Sequence, residues 1–177
     1  PAGGAAVIST PTYAMYRVHA EQRGGRVIAV PRQPATDGWA MDVPAVREAA
    51  REARLVWVCN PHNPTGLAEP DGAIETLLTG LETDAAADGR AAPFVVVDEA
   101  YSEFTGSSVI PLRTRFPNLV AVRTASKAYA LAGLRVGFAV AAPATLRRVA
   151  LYRPPGSIGT ISATVVAAAL RDGTEMR

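Results

Sequence analysis

The sequence predicts an α/β fold, a three-layer sandwich with helices on both faces of a mainly parallel sheet. Three observations carry this expectation. Short apolar, β-branched runs recur around Val7, Val27, Val56, Val95 and Val120, with Pro, Gly or Asn punctuating the turns between them. Stretches with helical apolar spacing alternate with these runs, as at Val43, Val46, Ala49, Ala50 and Ala53. Phe94-Val95-Val96-Val97 is apolar at every position rather than at alternate ones, which suits a strand covered on both faces.

Taken in order, Ala5-Ala6-Val7-Ile8-Ser9 reads as a buried first strand, stopped by Pro11. Thr12 is placed to cap a helix that runs through Tyr16 and Val18 to Gly24-Gly25, a good C-terminal stop. Arg26 to Val30 is the second strand, closed by Pro31. Asp42 is the expected N-cap of the next helix, whose Arg47, Glu48, Arg51 and Glu52 fall largely on the solvent side. Leu55 to Cys59 is the third strand. The turn after it, Asn60-Pro61-His62-Asn63-Pro64-Thr65-Gly66, is stiffened by two prolines. Ile74, Leu77, Leu78 and Leu81 make a helix face, and residues 82 to 93, rich in Ala, Asp and Gly, read as an exposed linker. Strands are expected at Phe94 to Asp98, Leu119 to Arg123 and Leu134 to Val140, then helices around 144–152 and 161–171.

Composition narrows the function. With 49% hydrophobic and 19% charged residues in 177, the chain suits one soluble globular domain with a substantial core. A formal charge of +2 with scattered Arg residues argues against nucleic-acid binding. No apolar run approaches the ~20 residues of a membrane helix, and no signal peptide opens the chain, so a reducing cytoplasm is the default. Cys59 alone cannot form an internal disulfide, and with His19 and His62 as the only histidines neither a metal site nor a Ser-His-Asp triad is expected. The chain starts at Pro1 and stops soon after an apolar helical stretch, so it reads as the middle of a longer protein.

Of the 18 basic residues only Lys127 is a lysine. Arg stays protonated almost anywhere, whereas Lys can lose its proton and attack a carbonyl to form a Schiff base. In open α/β sheets ligands bind beyond the carboxyl ends of the strands. Tyr13 follows the first strand, Asn63 the third, Asp98 ends the fourth, and Thr124, Ser126 and Lys127 follow the fifth. If those strands are parallel, these residues meet at one sheet edge. Their chemistry fits pyridoxal phosphate (PLP). Lys127 would hold the aldehyde, and Asp98 would pair with the pyridine nitrogen and keep it protonated. Tyr101 and the Asn63 amide would meet the ring hydroxyl, and Tyr13 would stack on the ring face. Thr124, Ser126 and Arg135 would take the phosphate, Arg135 through a bidentate fork. Tyr16 is expected in the core or an interface, Tyr129 to have no chemical role, His62 to serve the turn, and Cys59 to be a small buried strand residue.

Asn63-Pro64-Thr65-Gly66, Asp98-Glu99-Ala100-Tyr101 and Ser126-Lys127, followed by Ala132-Gly133-Leu134-Arg135-Val136-Gly137, resemble the fold type I PLP-dependent aminotransferases in order and separation. With Pro11-Thr12-Tyr13-Ala14-Met15-Tyr16 added, the chain most resembles the histidinol-phosphate branch. The resemblance implies that residues 1–177 are part of a PLP-binding large domain. The upstream phosphate-binding segment and the C-terminal small domain would lie outside it. It further implies transfer of an amino group from an amino acid or amino-alcohol phosphate to a 2-oxo acid such as 2-oxoglutarate, in histidine or other amino-acid biosynthesis. Lys127 would also carry the proton between substrate Cα and cofactor C4′. A cis bond before Pro64 and a homodimer sharing its active sites are implied too. Arg153-Pro154-Pro155-Gly156-Ser157 departs from the branch's usual segment, and residues 82–93 make a long linker for it. A PLP-dependent decarboxylase or lyase resembling the threonine-phosphate decarboxylases would show the same cofactor residues. A non-catalytic PLP-binding fragment is the third reading.

Overall fold

The computed structural model describes residues 3–172, which form one six-stranded sheet in the order β2-β1-β3-β4-β5-β6. The strands are β1 (Ala5–Thr10), β2 (Arg26–Pro31), β3 (Leu55–Cys59), β4 (Phe94–Asp98), β5 (Leu119–Thr124) and β6 (Gly137–Ala141). Strands β1 to β5 run parallel, and β6 alone is antiparallel, against β5. The helices are α1 (Met15–Gln22), α2 (Val43–Ala50), α3 (Ala73–Ala87), α4 (Pro143–Ala150) and α5 (Thr160–Asp172).

The path from β1 to β2 steps one way across the sheet, and those from β2 to β3 and β3 to β4 step the other way. Parallel crossovers are almost always right-handed, so a reversal of direction places helices on opposite faces. Strand alternation sorts the side chains accordingly. Val7, Val56, Val58, Val95 and Val97 pack in the main core with Val46 and Ala50 of α2 and Leu77, Leu78 and Leu81 of α3. Ile8 and Cys59, one residue out of step, pack instead with Tyr16 of α1, joined by Val27 and Trp57. The reversal opens a crevice at the carboxyl ends of β1 and β3, where this class of sheet binds ligands.

Several local expectations hold and three are corrected. Asp42 caps α2, its Oδ1 accepting the Ala45 N–H at 3.0 Å. Residues 82 to 87 are not linker: α3 continues to Ala87, leaving only 88 to 93 to connect it to β4. The Ala-rich stretch stays helical because Ala85 is buried and Asp84 holds a two-pronged bond to Arg47 of α2, at 2.8 and 2.9 Å. Thr12 does not cap α1, whose N-cap position is Ala14 with no side-chain bond. The last strand starts at Gly137, not Leu134, because Ala132–Leu134 form a 3-10 turn and Arg135 adopts a left-handed backbone. Among the described residues, no helix is long and apolar enough to cross a membrane.

Candidate active site

The carboxyl ends of β1, β3, β4 and β5 surround a cavity of about 390 Å³. Tyr13, Asn63, Asp98, Tyr101, Thr124, Ser126, Lys127 and Arg135 all line it, so the fold gathers every residue expected from the sequence. Parallel register makes this possible: Cys59 pairs with Asp98 and Asp98 with Val122, so the three strands end almost level.

Asp98 is held from two directions. Its Oδ1 accepts the Ala100 N–H at 3.0 Å and its Oδ2 accepts the Tyr16 hydroxyl at 2.8 Å. Asn63 sits in a turn pinned by its neighbours. The His62 ring is buried, with Nε2 2.9 Å from the Pro11 carbonyl and Nδ1 2.8 Å from the Thr65 hydroxyl. The Asn63 N–H points at the Cys59 sulfur at 3.4 Å. Peptide bonds preceding Pro11, Pro61 and Pro64 are cis, the last as the family resemblance implies.

Tyr101 follows β4, and its loop is anchored by buried Glu99. That carboxylate accepts the Val109 N–H, the Ser108 hydroxyl at 3.0 Å and Arg123 Nε at 2.9 Å. Lys127 stands exposed at the cavity, with Nζ 5.3 Å from the Tyr101 ring centre, a cation over an aromatic face. Its side chain makes no hydrogen bond or ion pair among the described residues, while its carbonyl accepts the Ala130 N–H at 2.9 Å. Thr124 and Ser126 join their hydroxyls at 2.8 Å, and the Ser126 N–H reaches Thr124 Oγ1 at 3.1 Å. Arg135, at φ 56°, donates from Nη1 to the Ala132 carbonyl at 2.9 Å and has no carboxylate partner among the described residues. A non-glycine residue in this backbone region is sparse and concentrates at functional sites.

Two features were not legible as functional in the sequence. Tyr16 is a core residue, as expected, but it is also the partner of Asp98. Its spacing from Tyr13 was the available signal, since residues three apart share a helix face. Arg123, beside Thr124, lines the cavity while paired to Glu99 and Glu103. Burial pushes the Tyr16 phenol far above its ordinary pKa, assisted by nearby Cys59 and Asp98. Burial also raises the Cys59 thiol. Both remain protonated. Cys59 is thus a small buried strand residue under the site.

The crevice at the parallel strand ends is thus lined by a lysine, a held carboxylate and aromatic and hydroxyl groups. The chain belongs to the aminotransferase class I and II family, whose pattern matches residues 1–177. Among curated relatives, histidinol-phosphate aminotransferase from Thermococcus gammatolerans is 37% identical over 169 residues, covering 96% of this chain and 46% of that protein. The enzyme of that name from Aeromonas hydrophila is 41% identical over 166 residues, covering 93% and 43%. The crystal structure of histidinol-phosphate aminotransferase from Sinorhizobium meliloti in complex with pyridoxal-5'-phosphate superposes with a TM-score of 0.81 at 30% identity, covering 99% of this chain and 46% of that one. The chain therefore spans about half the length of the curated relatives it matches.

Proposed function

We propose that this chain is the cofactor-holding part of the large domain of a PLP-dependent aminotransferase. Its substrates would be an amino acid or an amino-alcohol phosphate such as histidinol phosphate, and a 2-oxo acid such as 2-oxoglutarate. One observation carries the reading: Lys127, the chain's sole lysine, borders the same cavity as an Asp98 carboxylate already fixed through both oxygens.

The residues present fit the cofactor. A cationic ring nitrogen matches Asp98, whose remaining lone pairs have no other described partner. The phosphate matches Ser126, Thr124 and the guanidinium of Arg135, which has no carboxylate partner among the described residues. Tyr13, half exposed at the cavity, offers a ring face for stacking. Tyr101 and Asn63 offer donors for the ring hydroxyl. When bound, PLP supplies an electron sink for charge formed at the substrate's α-carbon. Lys127 Nζ would hold the cofactor carbonyl and then, released by the substrate amine, move a proton at that carbon. Asp98 would keep a proton on the ring nitrogen. A homodimer and a cytoplasmic location belong to the same proposal, carried by the family resemblance.

The test is chemical. The intact enzyme is loaded with PLP, reduced with borohydride and digested, and the pyridoxyl group is located by mass spectrometry. The expected label is on Lys127 and is lost in Lys127→Ala. No label on Lys127 would sink the reading. With histidinol phosphate and 2-oxoglutarate, glutamate should form; release of carbon dioxide from a substrate that keeps its carboxylate, such as threonine phosphate, with no glutamate from histidinol phosphate, would turn the assignment to decarboxylation.

A further inference from the structure

We infer that Tyr16 is a positioning residue of this site: its hydroxyl fixes the Asp98 carboxylate that would face the ring nitrogen, an inference that rests on the PLP reading above. The geometry is specific. Tyr16 occupies the first turn of α1, 82 positions before Asp98, yet donates to Oδ2 at 2.8 Å. Its ring has little freedom. It stacks on Trp57 of β3 with centres 4.8 Å apart and planes within 8°, and meets the edge-on Tyr13 ring at 5.6 Å and 81°. The residue is 97% buried, with a relative exposure of 3%.

A phenol held this way does one thing over the whole working pH range. It keeps its proton and donates it, because burial beside Cys59 and Asp98 disfavours the phenolate. Asp98 Oδ1 is fixed by its own chain through the Ala100 N–H, and Oδ2 is fixed only by Tyr16 among the described residues. Tyr16 therefore sets the plane of the carboxyl group. Through its edge contact it also braces Tyr13, the proposed stacking ring. One side chain on α1 thus ties together a face contact and a charge contact from different strands.

The test compares Tyr16→Phe with the parent in the intact enzyme. Phe keeps the ring and its stacking and deletes only the donor. PLP affinity, read by fluorescence titration, should fall roughly tenfold or more, as for a lost bond to a charged group. With its donor gone, the carboxylate is no longer held in one plane to face the ring nitrogen, so less positive charge stays on the ring. The pH midpoint of the bound cofactor's visible absorbance should then move upward. In an Asp98→Asn background Tyr16→Phe should change affinity by less than about twofold, because the group it acts through is gone.

Unchanged affinity and an unchanged midpoint in Tyr16→Phe would overturn the inference, as would equal losses in the two backgrounds. If Tyr16→Phe does not hold the fold, Trp57→Leu keeps the hydroxyl but removes its support. It should weaken binding and raise the midpoint, and no change there overturns the inference. A parent enzyme that binds no PLP at Lys127 would sink the proposed function and this inference together. A parent labelled at Lys127 with an indifferent Tyr16→Phe would sink this inference alone.

Discussion

Arg32 and Glu69 form an ion pair at 2.6 Å with both side chains only 2% exposed, joining the loop after β2 to the loop after β3. The pair is woven into backbone. Arg32 Nη1 also donates to the Trp39 carbonyl at 2.9 Å, and Glu69 Oε2 accepts the Met41 N–H at 2.9 Å. The Glu69 N–H in turn donates to Asn60 Oδ1 at 2.9 Å, at the start of the turn that presents Asn63. Breaking a buried pair leaves an uncompensated charge. Glu69→Ala should therefore lower unfolding free energy by about 3–5 kcal/mol, measured by urea denaturation of the intact protein. Arg32→Met with Glu69→Leu should cost much less than Glu69→Ala, since neither charge then stays buried.

His62 makes stability depend on pH in a defined window. Burial first, then nearby Arg32, holds its pKa below the ordinary imidazole value of 6.5, opposed by the Pro11 carbonyl and Glu69. Above that value neither folded nor unfolded chain binds a proton there, and His62 adds no slope. As pH falls below 6.5 the unfolded chain protonates first, so stability drops until the folded-state pKa is passed. The loss approaches at most about 1.4 kcal/mol per pH unit. Urea unfolding of parent and His62→Gln between neutral and mildly acidic pH should differ in slope only within this window.

Gly80 lies inside α3 where a Cβ would collide with the Arg47 side chain. In the parent, Gly80→Ala should gain helix propensity yet push the guanidinium off Asp84, so little or no net stabilisation follows. In an Arg47→Ala background the obstruction is gone. There Gly80→Ala should add about 1 kcal/mol, the usual helical advantage of Ala over Gly. The two thermal or urea unfolding differences check the sign of this coupling.

Arg135 should read the phosphate and little else. Arg135→Ala is expected to weaken PLP binding by about 10- to 100-fold, the range for a charged hydrogen-bonding group. Binding of pyridoxal, which lacks the phosphate, should barely change. Arg135→Lys should restore only part of the loss, because an ammonium offers a point charge without the planar fork. Fluorescence titrations with the two ligands give the ratio directly.

Much of the fold was legible because its signals are local and periodic. The apolar runs at Val7, Val56 and Val95 became parallel strands, and Asp42 capped its helix where a short polar side chain was expected. The extent of α3 was not legible. Ala, Asp and Gly between residues 82 and 93 look like linker until Asp84 finds Arg47, 37 positions away. Arg32–Glu69 and Glu99–Arg123 escaped for the same reason: a pair spanning 24 or 37 residues leaves no periodicity. The residues expected at the site do converge there because they sit at strand ends. Tyr16 was harder to read, since a helical Tyr beside apolar neighbours looks like packing, and packing is part of what it does. Its hydroxyl contact depends on where β4 ends relative to α1.

The lone lysine at the cavity has a practical consequence for measurement. A protease specific for lysine would sever residues 1–177 at a single bond, Lys127-Ala128, and a side chain capped by a reduced adduct would resist it. After denaturation, the fraction of this segment left uncut would therefore report how many molecules carried a covalent group at that amine, a titre needing neither chromophore nor substrate.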